Sequence, residues 1–150
     1  MTHFFNFEAD FTDTLHCIPM VVRMKLDTCG VKLKLTHWNQ FSSLEKEALI
    51  TMSCLTAEEI ETYRSFLQQL VTNKTGKPAG ELPTETNPPW LNTTVIPEML
   101  LEKAAEIDVK ITSQQWEKLT PLERFALIKL SRPSHENENF YPALKEFNLV

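Results

Sequence analysis

Two cysteines are candidates for thiol chemistry. Cys17 directly precedes a stretch that we predict to be a helix, about Ile18–Thr28, and the positive end of a helix lowers the pKa of a thiol placed there. Cys29 follows that stretch and is the second candidate. The alternative is that these thiols are buried structural residues, which we favour because cysteine is among the most buried residue types.

The sequence contains no pattern that would hold a metal or a cofactor. The cysteines Cys17, Cys29 and Cys54 and the four histidines are scattered, whereas structural zinc takes four ligands that converge on one point. Three glycines in the whole chain leave little material for a phosphate-binding loop, and ligation patterns for haem, flavin or iron–sulfur groups are absent. We therefore predict no metal, no cofactor and no catalytic residue.

Two groups of charged and polar side chains are candidates for binding a partner. The first group, Arg23, Lys25 and Asp27, lies on the predicted helix that follows Cys17. The second group lies in segment 131–140 and consists of Arg132, His135, Glu136 and Asn137. Such side chains make charge-assisted hydrogen bonds to a partner. Alternatively, segment 131–140 is a helix cap followed by a solvated turn, and both interpretations stay open.

An internal repeat organises the elements that position these residues. Residues 31–53 recur as residues 109–131 without a gap, and nine of the 23 aligned pairs are identical. Chance would give about one or two identities over this length. Trp38 aligns with Trp116, and we predict that both tryptophans pack in the core. The repeat indicates a duplicated helical unit.

Capping residues explain why each copy is helical. Ser42 with Glu45, and Thr120 with Glu123, are typical of capping boxes, which satisfy the first backbone N–H groups of a helix. Apolar residues follow at helical spacing and are predicted to face the core. They are Leu44, Ala48 and Met52 in the first copy and Leu122, Ala126 and Leu130 in the second, and Leu49, Ile50, Leu127 and Ile128 widen the two buried faces. Pro97 is predicted at the first position of a further helix, about Pro97–Ile107.

The predicted architecture is a single all-α domain of two pseudo-repeated units. Residues 1–14 form an extended arm docked by its phenylalanines, residues 15–72 the first helical unit, residues 73–94 an irregular proline-rich connector, and residues 95–150 the second helical unit. Each unit alone would leave an apolar face uncovered, so we expect the two to pack together. The expected state is a monomer or a weak homodimer.

Composition and charge exclude several classes of protein. The chain has 150 residues, of which 42% are hydrophobic and 23% charged, as in ordinary globular domains. Its net charge is −5, and no basic cluster is dense enough for binding nucleic acid. No apolar stretch approaches the roughly 20 residues that span a membrane, and the pattern of a signal peptide is missing. We expect a cytoplasmic protein with neither nucleic acid nor membrane as its partner.

The two charged groups lie where the copies of the repeat differ most. The stretch Cys17–Lys34 reads quite differently from its counterpart, which includes Met99–Asp108. Arg132–Phe140 likewise departs from the first copy. Because duplication supplies two similar scaffolds, we expect function to collect where they diverge. If the two groups face one another, they form one mixed-charge patch suited to specific docking.

Three strings of the sequence carry a resemblance to a known family: FNFEADF near the start, CIPMVVRMKLDTCGVKL after it and RPSHENENFYPALKEF at the end. Over nearly its whole length the chain resembles the nitrate reductase-associated protein family of the cyanobacterial type. The resemblance defines no catalytic residue. Its motif positions on this chain are Cys17, Pro19, Arg23, Lys25, Asp27, Gly30, Trp38, His135, Glu136, Asn137 and Phe140.

The resemblance implies a function in nitrate assimilation. It implies a non-catalytic accessory protein that binds an assimilatory, molybdenum-dependent nitrate reductase and supports its maturation or activity. The alternative, from another class, is a small enzyme or thiol-based factor that uses Cys17 or Cys29 to deliver a cofactor to the reductase.

Overall fold

The computed structural model describes residues 4–8, 17–132 and 138–150, and within these ranges the chain is mostly helical. The α-helices are α1 (Met20–Cys29), α2 (Leu35–Trp38), α3 (Ser43–Thr51), α4 (Ala57–Thr75), α5 (Glu98–Glu106), α6 (Ser113–Lys118), α7 (Pro121–Ser131) and α8 (Phe140–Glu146). Short 3-10 helices form at Asn6–Glu8 and Pro89–Leu91, and two short strands are β1 (Val31–Lys32) and β2 (Gly80–Glu81). This content agrees with the predicted all-α class.

The described residues fall into two compact units. The first unit contains residue 4 and the described residues from 8 to 85, and the second contains residues 5–7 and the described residues from 86 to 150. The boundary between residues 85 and 86 divides the predicted connector, residues 73–94, between the units. Helix α4 also extends into this connector as far as Thr75. The expectation of a single domain stays a prediction.

In the first unit, the strands β1 and β2 pair antiparallel directly after the end of α1. Val31 lies opposite Glu81, and the N–H of Leu82 donates to the carbonyl of Gly30 at 2.8 Å. Gly30 ends α1 at φ 77°, and a Cβ there would lie 2.8 Å from the Thr84 methyl group. The predicted helix stop at Gly30 is confirmed. The ribbon was not predicted, because two-residue strands show no alternation of apolar and polar residues.

The core of the first unit forms where α1, α2, α3 and α4 meet. Its fully buried side chains include Val22, Cys29, Trp38, Leu49, Tyr63, Leu67 and Val71. The Tyr63 hydroxyl donates to the Leu49 carbonyl at 2.7 Å, so this buried polar group is satisfied. The prediction that Leu44 faces the core is wrong, since its side chain is 79% exposed. The predicted burial of Leu49 and Ile50 on the same helix, α3, is confirmed.

The core of the second unit centres on α7. Seven of its eleven residues are buried, and α5, α8 and the 3-10 helix Pro89–Leu91 pack against it. The fully buried side chains include Leu100, Trp116, Phe125, Leu127, Leu130, Phe140 and Leu144. The ring of Trp90 meets Phe125 edge-on, with 5.1 Å between ring centroids. Helix α7 is therefore buried nearly all round, unlike α3.

Corresponding helices of the two units begin 78 positions apart. Helices α1 and α5 begin at residues 20 and 98, α2 and α6 at 35 and 113, and α3 and α7 at 43 and 121. The capping boxes predicted at Ser42 and Thr120 are confirmed, each with a 3.1 Å bond from the Glu N–H three residues on. Pro97 is the N-cap of α5 rather than its first residue. The superposition of residues 31–53 on 109–131 stays a prediction.

Within the predicted N-terminal arm, residues 6–8 form a 3-10 helix instead of an extended chain. The Glu146 carboxylate accepts hydrogen bonds from the N–H groups of Asn6 and Phe7, both at 3.0 Å, and such bonds favour a tight turn. The Phe5 ring packs on Phe147, with 5.0 Å between ring centroids. Aromatic contacts of the kind expected for the arm therefore exist in the described part of it.

Each unit buries a cation over its tryptophan. Lys46 Nζ lies 5.6 Å from the centre of the Trp38 ring, and Arg124 Cζ lies 6.0 Å from that of Trp116. Arg124 is only 4% exposed. Its guanidinium donates to the carbonyls of Trp90 at 2.7 Å, Trp116 at 3.2 Å and Leu119 at 2.6 Å. A buried charge is tolerated only when it is hydrogen-bonded in this way.

Replacing Arg124 tests this network. Arg124→Met keeps most of the side-chain volume but takes the guanidinium away from three carbonyl oxygens, of which the Trp116 carbonyl keeps the Leu119 N–H as a donor at 3.2 Å. The free energy of unfolding should therefore fall by about 3 kcal/mol. Urea denaturation followed by circular dichroism measures this value. The exposed Lys118→Met in the same unit is the control and should stay within about 0.5 kcal/mol of the parent protein. Equal midpoints for the two variants would contradict the assigned role of Arg124.

Candidate functional site

Helix α1 carries the first predicted group of partner-binding residues. Arg23 and Asp27 are one turn apart, so their side chains leave the same face of the helix, and both are half-buried. Lys25 is also half-buried but leaves the helix in another direction. The structure therefore keeps Arg23 and Asp27 together and separates Lys25 from them.

Lys25 caps the end of α3. Its Nζ donates to the carbonyls of Ile50 and Met52, both at 2.6 Å, which are among the last carbonyls of that helix and lack partners within it. The same ammonium lies 5.7 Å from the centre of the Tyr63 ring. Burial lowers the pKa of Lys25. These contacts occupy the charge inside the first unit, so they weigh against its predicted role in binding a partner.

The environment of Cys29 weighs against its predicted reactivity. Cys29 is the last residue of α1 and is fully buried, and its thiol donates weakly to the Leu26 carbonyl at 3.8 Å. Burial raises the pKa of Cys29 to about 11, and that of Cys54 to about 11 as well. The thiolate is the reactive form, and it is scarce at neutral pH in both residues. Cys17 is half-buried and lies just before α1.

The second predicted group lies only in part within the described residues. Arg132 is exposed and follows α7, where its N–H donates to the Lys129 carbonyl at 3.3 Å. His135, Glu136 and Asn137 lie outside the described residues. That the two groups face one another stays a hypothesis.

Sequence analysis assigned no role to several charged residues that the structure places at helix ends. The Arg64 Nε donates to the Cys29 carbonyl at 2.8 Å at the end of α1. Glu8 is 1% exposed, and its carboxylate accepts from the Met20 N–H at 3.1 Å at the start of α1. Lys46 and Arg124 had a visible signal, because the repeat places a cation eight residues after each tryptophan. Glu8 and Arg64 had none, since each is far in sequence from the group it caps.

Some of the predicted partner-binding residues lie at or near the surface of the described part of the chain. Arg23, Asp27 and Arg132 carry both signs of charge at or near the surface. Within the described ranges, no group of three or more His, Cys, Asp or Glu side chains is placed to hold a metal ion. The helices described there are all too short or too polar to cross a membrane.

Comparison with known families decides the relationship of the chain. The family model described as conserved nitrate reductase-associated protein matches residues 4–147. The chain belongs to this family. The match runs from before α1 to the residue after α8 and confirms the resemblance carried by the three sequence strings. Comparisons with curated proteins and with solved structures find no match.

A substitution separates the structural role of Lys25 from a binding role. In this nitrate reductase-associated protein, Lys25→Met removes the donor from the carbonyls of Ile50 and Met52. The free energy of unfolding should therefore fall by about 2 kcal/mol. Lys32→Met is the control, because Lys32 is exposed, and should change stability by no more than about 0.5 kcal/mol. Urea unfolding compares the two. If both variants are as stable as the parent, Lys25 is free to serve a partner.

Thiol labelling tests the cysteine environments. At pH 8 we expect 5,5′-dithiobis(2-nitrobenzoate) to modify Cys17 at least tenfold faster than Cys29 and Cys54, because burial keeps those two protonated and covered. Peptide mass spectrometry assigns the modified residue, and labelling in 6 M urea, where all three react alike, is the control. Fast modification of native Cys29 would restore it as a reactive thiol.

Proposed function

We propose that this protein is a non-catalytic accessory protein that binds assimilatory molybdenum nitrate reductase and supports its maturation or activity. Membership of the nitrate reductase-associated family over residues 4–147 is the observation that carries the proposal. The family description names an association with the reductase rather than a reaction. The proposed setting is the cytoplasm, and the proposed state is a monomer or a weak homodimer.

The proposal includes duplication of one helical unit. It is supported by the 78-residue spacing of the helix starts, by the capping boxes at Ser42 and Thr120, and by a cation over each tryptophan. Tyr63 and Tyr141 are also 78 positions apart. Their environments differ, since Tyr63 is fully buried and Tyr141 is 47% exposed. Function then belongs to the surfaces that differ between the copies.

The proposed docking surface is the mixed-charge patch formed by the divergent residues. Arg23 is replaced by Leu101 in the second copy and Asp27 by Ala105, so this charge pattern belongs to the first copy alone. Arg132 and Glu136 supply the charges of the second group. Charges at the rim of an interface set the choice of partner and the association rate more than the affinity. Such a patch suits selective docking on one enzyme.

Thiol-based delivery of a cofactor is the weaker alternative. Burial and a raised pKa leave Cys29 with little thiolate, and this removes support from one of its two candidate residues. The docking proposal needs no thiol.

Co-purification of the tagged protein with the reductase tests the docking proposal. The triple variant Arg23→Ala, Arg132→Ala and Glu136→Ala should weaken binding at least tenfold, because it removes the charges that select the partner, with modest loss of stability. A triple variant at Lys77, Glu117 and Lys118, all exposed, removes the same number of each charge and should bind normally. Surface plasmon resonance with purified reductase, in apo and molybdenum-loaded forms, gives the affinities.

Three outcomes count against the proposal as stated. If the protein binds neither form of the reductase, the proposed function is wrong. Equal weakening by both triple variants removes the assigned surface. Unfolding of the Arg23, Arg132 and Glu136 variant shows that these residues are structural.

A further inference from the structure

The segment that follows α5, residues 108–111, exposes backbone groups that have no partner in the described ranges. Neither the N–H nor the C=O of Lys110 forms a hydrogen bond there, and the C=O of Asp108 accepts none. The N–H of Val109 donates to the Ala104 carbonyl at 2.9 Å and so fixes the turn. Lys110 is exposed. The segment therefore presents a short open edge to which an extended chain can bond.

An apolar groove lies beside this edge. It is open to solvent, encloses about 420 Å³, and is lined by Leu101, Ala105, Asp108, Val109, Lys110 and Ile111. Leu101 is 39% exposed and Ala105 is exposed, one turn apart on α5. The groove can take one apolar side chain of a strand that pairs with the edge, because alternate residues of a strand point to the same side.

The first unit shows how such a turn is covered. Gly30 ends α1 at φ 77°, and 78 positions later Asp108 follows α5 at φ 58°. In the first unit the next residues, Val31 and Lys32, pair with β2. In the second unit the corresponding Val109 and Lys110 have no strand against them within the described residues. The same turn is thus covered in one unit and open in the other.

Asp108 determines what kind of chain fits the open edge. At Gly30 a Cβ would lie 2.9 Å from the Leu82 carbonyl oxygen, so β2 approaches closely only because residue 30 is glycine. The Cβ of Asp108 excludes a covering chain that continues as residues 82–84 do. The occupant must therefore pair with Lys110 and then turn away, leaving the Asp108 carboxylate to meet a cation.

The surroundings of the groove are acidic. Glu98, Glu102 and Glu106 follow one another at one-turn intervals on α5, and all are exposed. Glu106 contacts Lys103 at 3.6 Å, while Glu98 and Glu102 form no ion pair with any described residue. The helix C-terminus adds partial negative charge. Complementarity therefore favours an occupant with Lys or Arg beside its apolar residue.

We propose that an extended segment of the nitrate reductase, with one apolar side chain flanked by Lys or Arg, adds as a strand to Lys110 and fills the groove at Leu101. Strand addition gains affinity from main-chain hydrogen bonds and specificity from side-chain pockets. The identity of the partner rests on the proposed function, whereas the site rests on the open edge, the groove and the acidic stripe.

Full-length variants test the site with purified reductase as the probe. Lys110→Pro removes the backbone donor and Leu101→Lys fills the groove with a charge, and each should weaken binding at least tenfold. Lys110→Ala keeps the backbone N–H, and Met99→Lys places the same charge on α5 outside the groove lining. These two controls should bind within twofold of the parent protein. Circular dichroism checks that all four variants fold. If Lys110→Pro does not fold, Leu101→Lys alone tests the site.

Amide hydrogen exchange gives a direct measure of strand pairing. Saturation with reductase should slow exchange of the Lys110 N–H at least tenfold. If the reductase binds all variants equally and exchange at Lys110 is unchanged, the groove is not the site, while the proposed function stands. If Leu101→Lys instead abolishes self-association in sedimentation and leaves reductase binding intact, a second copy is the occupant and the proposal is wrong.

Absence of binding to the reductase would overturn the proposed function. A peptide probe tests the site even in that case. The probe is an amidated peptide of residues 77–81 carrying Glu81→Lys, which supplies a cation and ends before the residues that Asp108 excludes. The peptide should slow exchange of the Lys110 N–H in the parent protein and in Met99→Lys, but not in Leu101→Lys. This result supports strand docking by a basic segment. Unchanged exchange at millimolar peptide, together with no reductase binding, overturns it.

Discussion

The contact of a buried guanidinium with a tryptophan and three carbonyl oxygens organises the second unit. Arg124 bonds to the carbonyl of Trp116 in α6, to that of Leu119 directly after α6, and to that of Trp90 in the preceding 3-10 helix. A charge removed from water needs all of these bonds, so the three segments are fixed together. The burial of α7 depends on that arrangement, because Trp90 also covers Phe125.

The first unit meets the same constraint with smaller groups. Lys46 lies over Trp38, and Lys25 satisfies two carbonyls at the end of α3. In both units, therefore, basic residues that sequence analysis alone would place on the surface are instead buried or half-buried, and they donate to backbone carbonyls at helix ends. This leaves fewer charges for recognition than the sequence offers. Of the predicted partner-binding charges in the described residues, Arg23 and Asp27 are half-buried and Arg132 is exposed.

The two units differ most in how the turn after their first helix is covered. Glycine at residue 30 leaves room for Leu82 and Thr84, which follow β2, whereas the Cβ of Asp108 at the corresponding position leaves no room for a chain that continues in the same way. The edge is paired in the first unit and has no strand against it in the described residues of the second. The proposed docking of a basic extended segment uses this open edge and the acidic face of α5 beside it.

The sequence by itself determined helices α1, α3, α5 and α7, the capping boxes at Ser42 and Thr120, the stop at Gly30, the burial of both tryptophans and the family. These features depend on residues within a few positions of one another, or on strings that the family shares. Only the tertiary structure decided the roles of Lys25, Glu8, Arg64 and Cys29, the exposure of Leu44, and the pairing of β1 with β2. Each of these depends on groups distant in the chain. Whether a charge caps a helix or faces solvent, and whether a thiol is covered, is decided by what folding brings beside it.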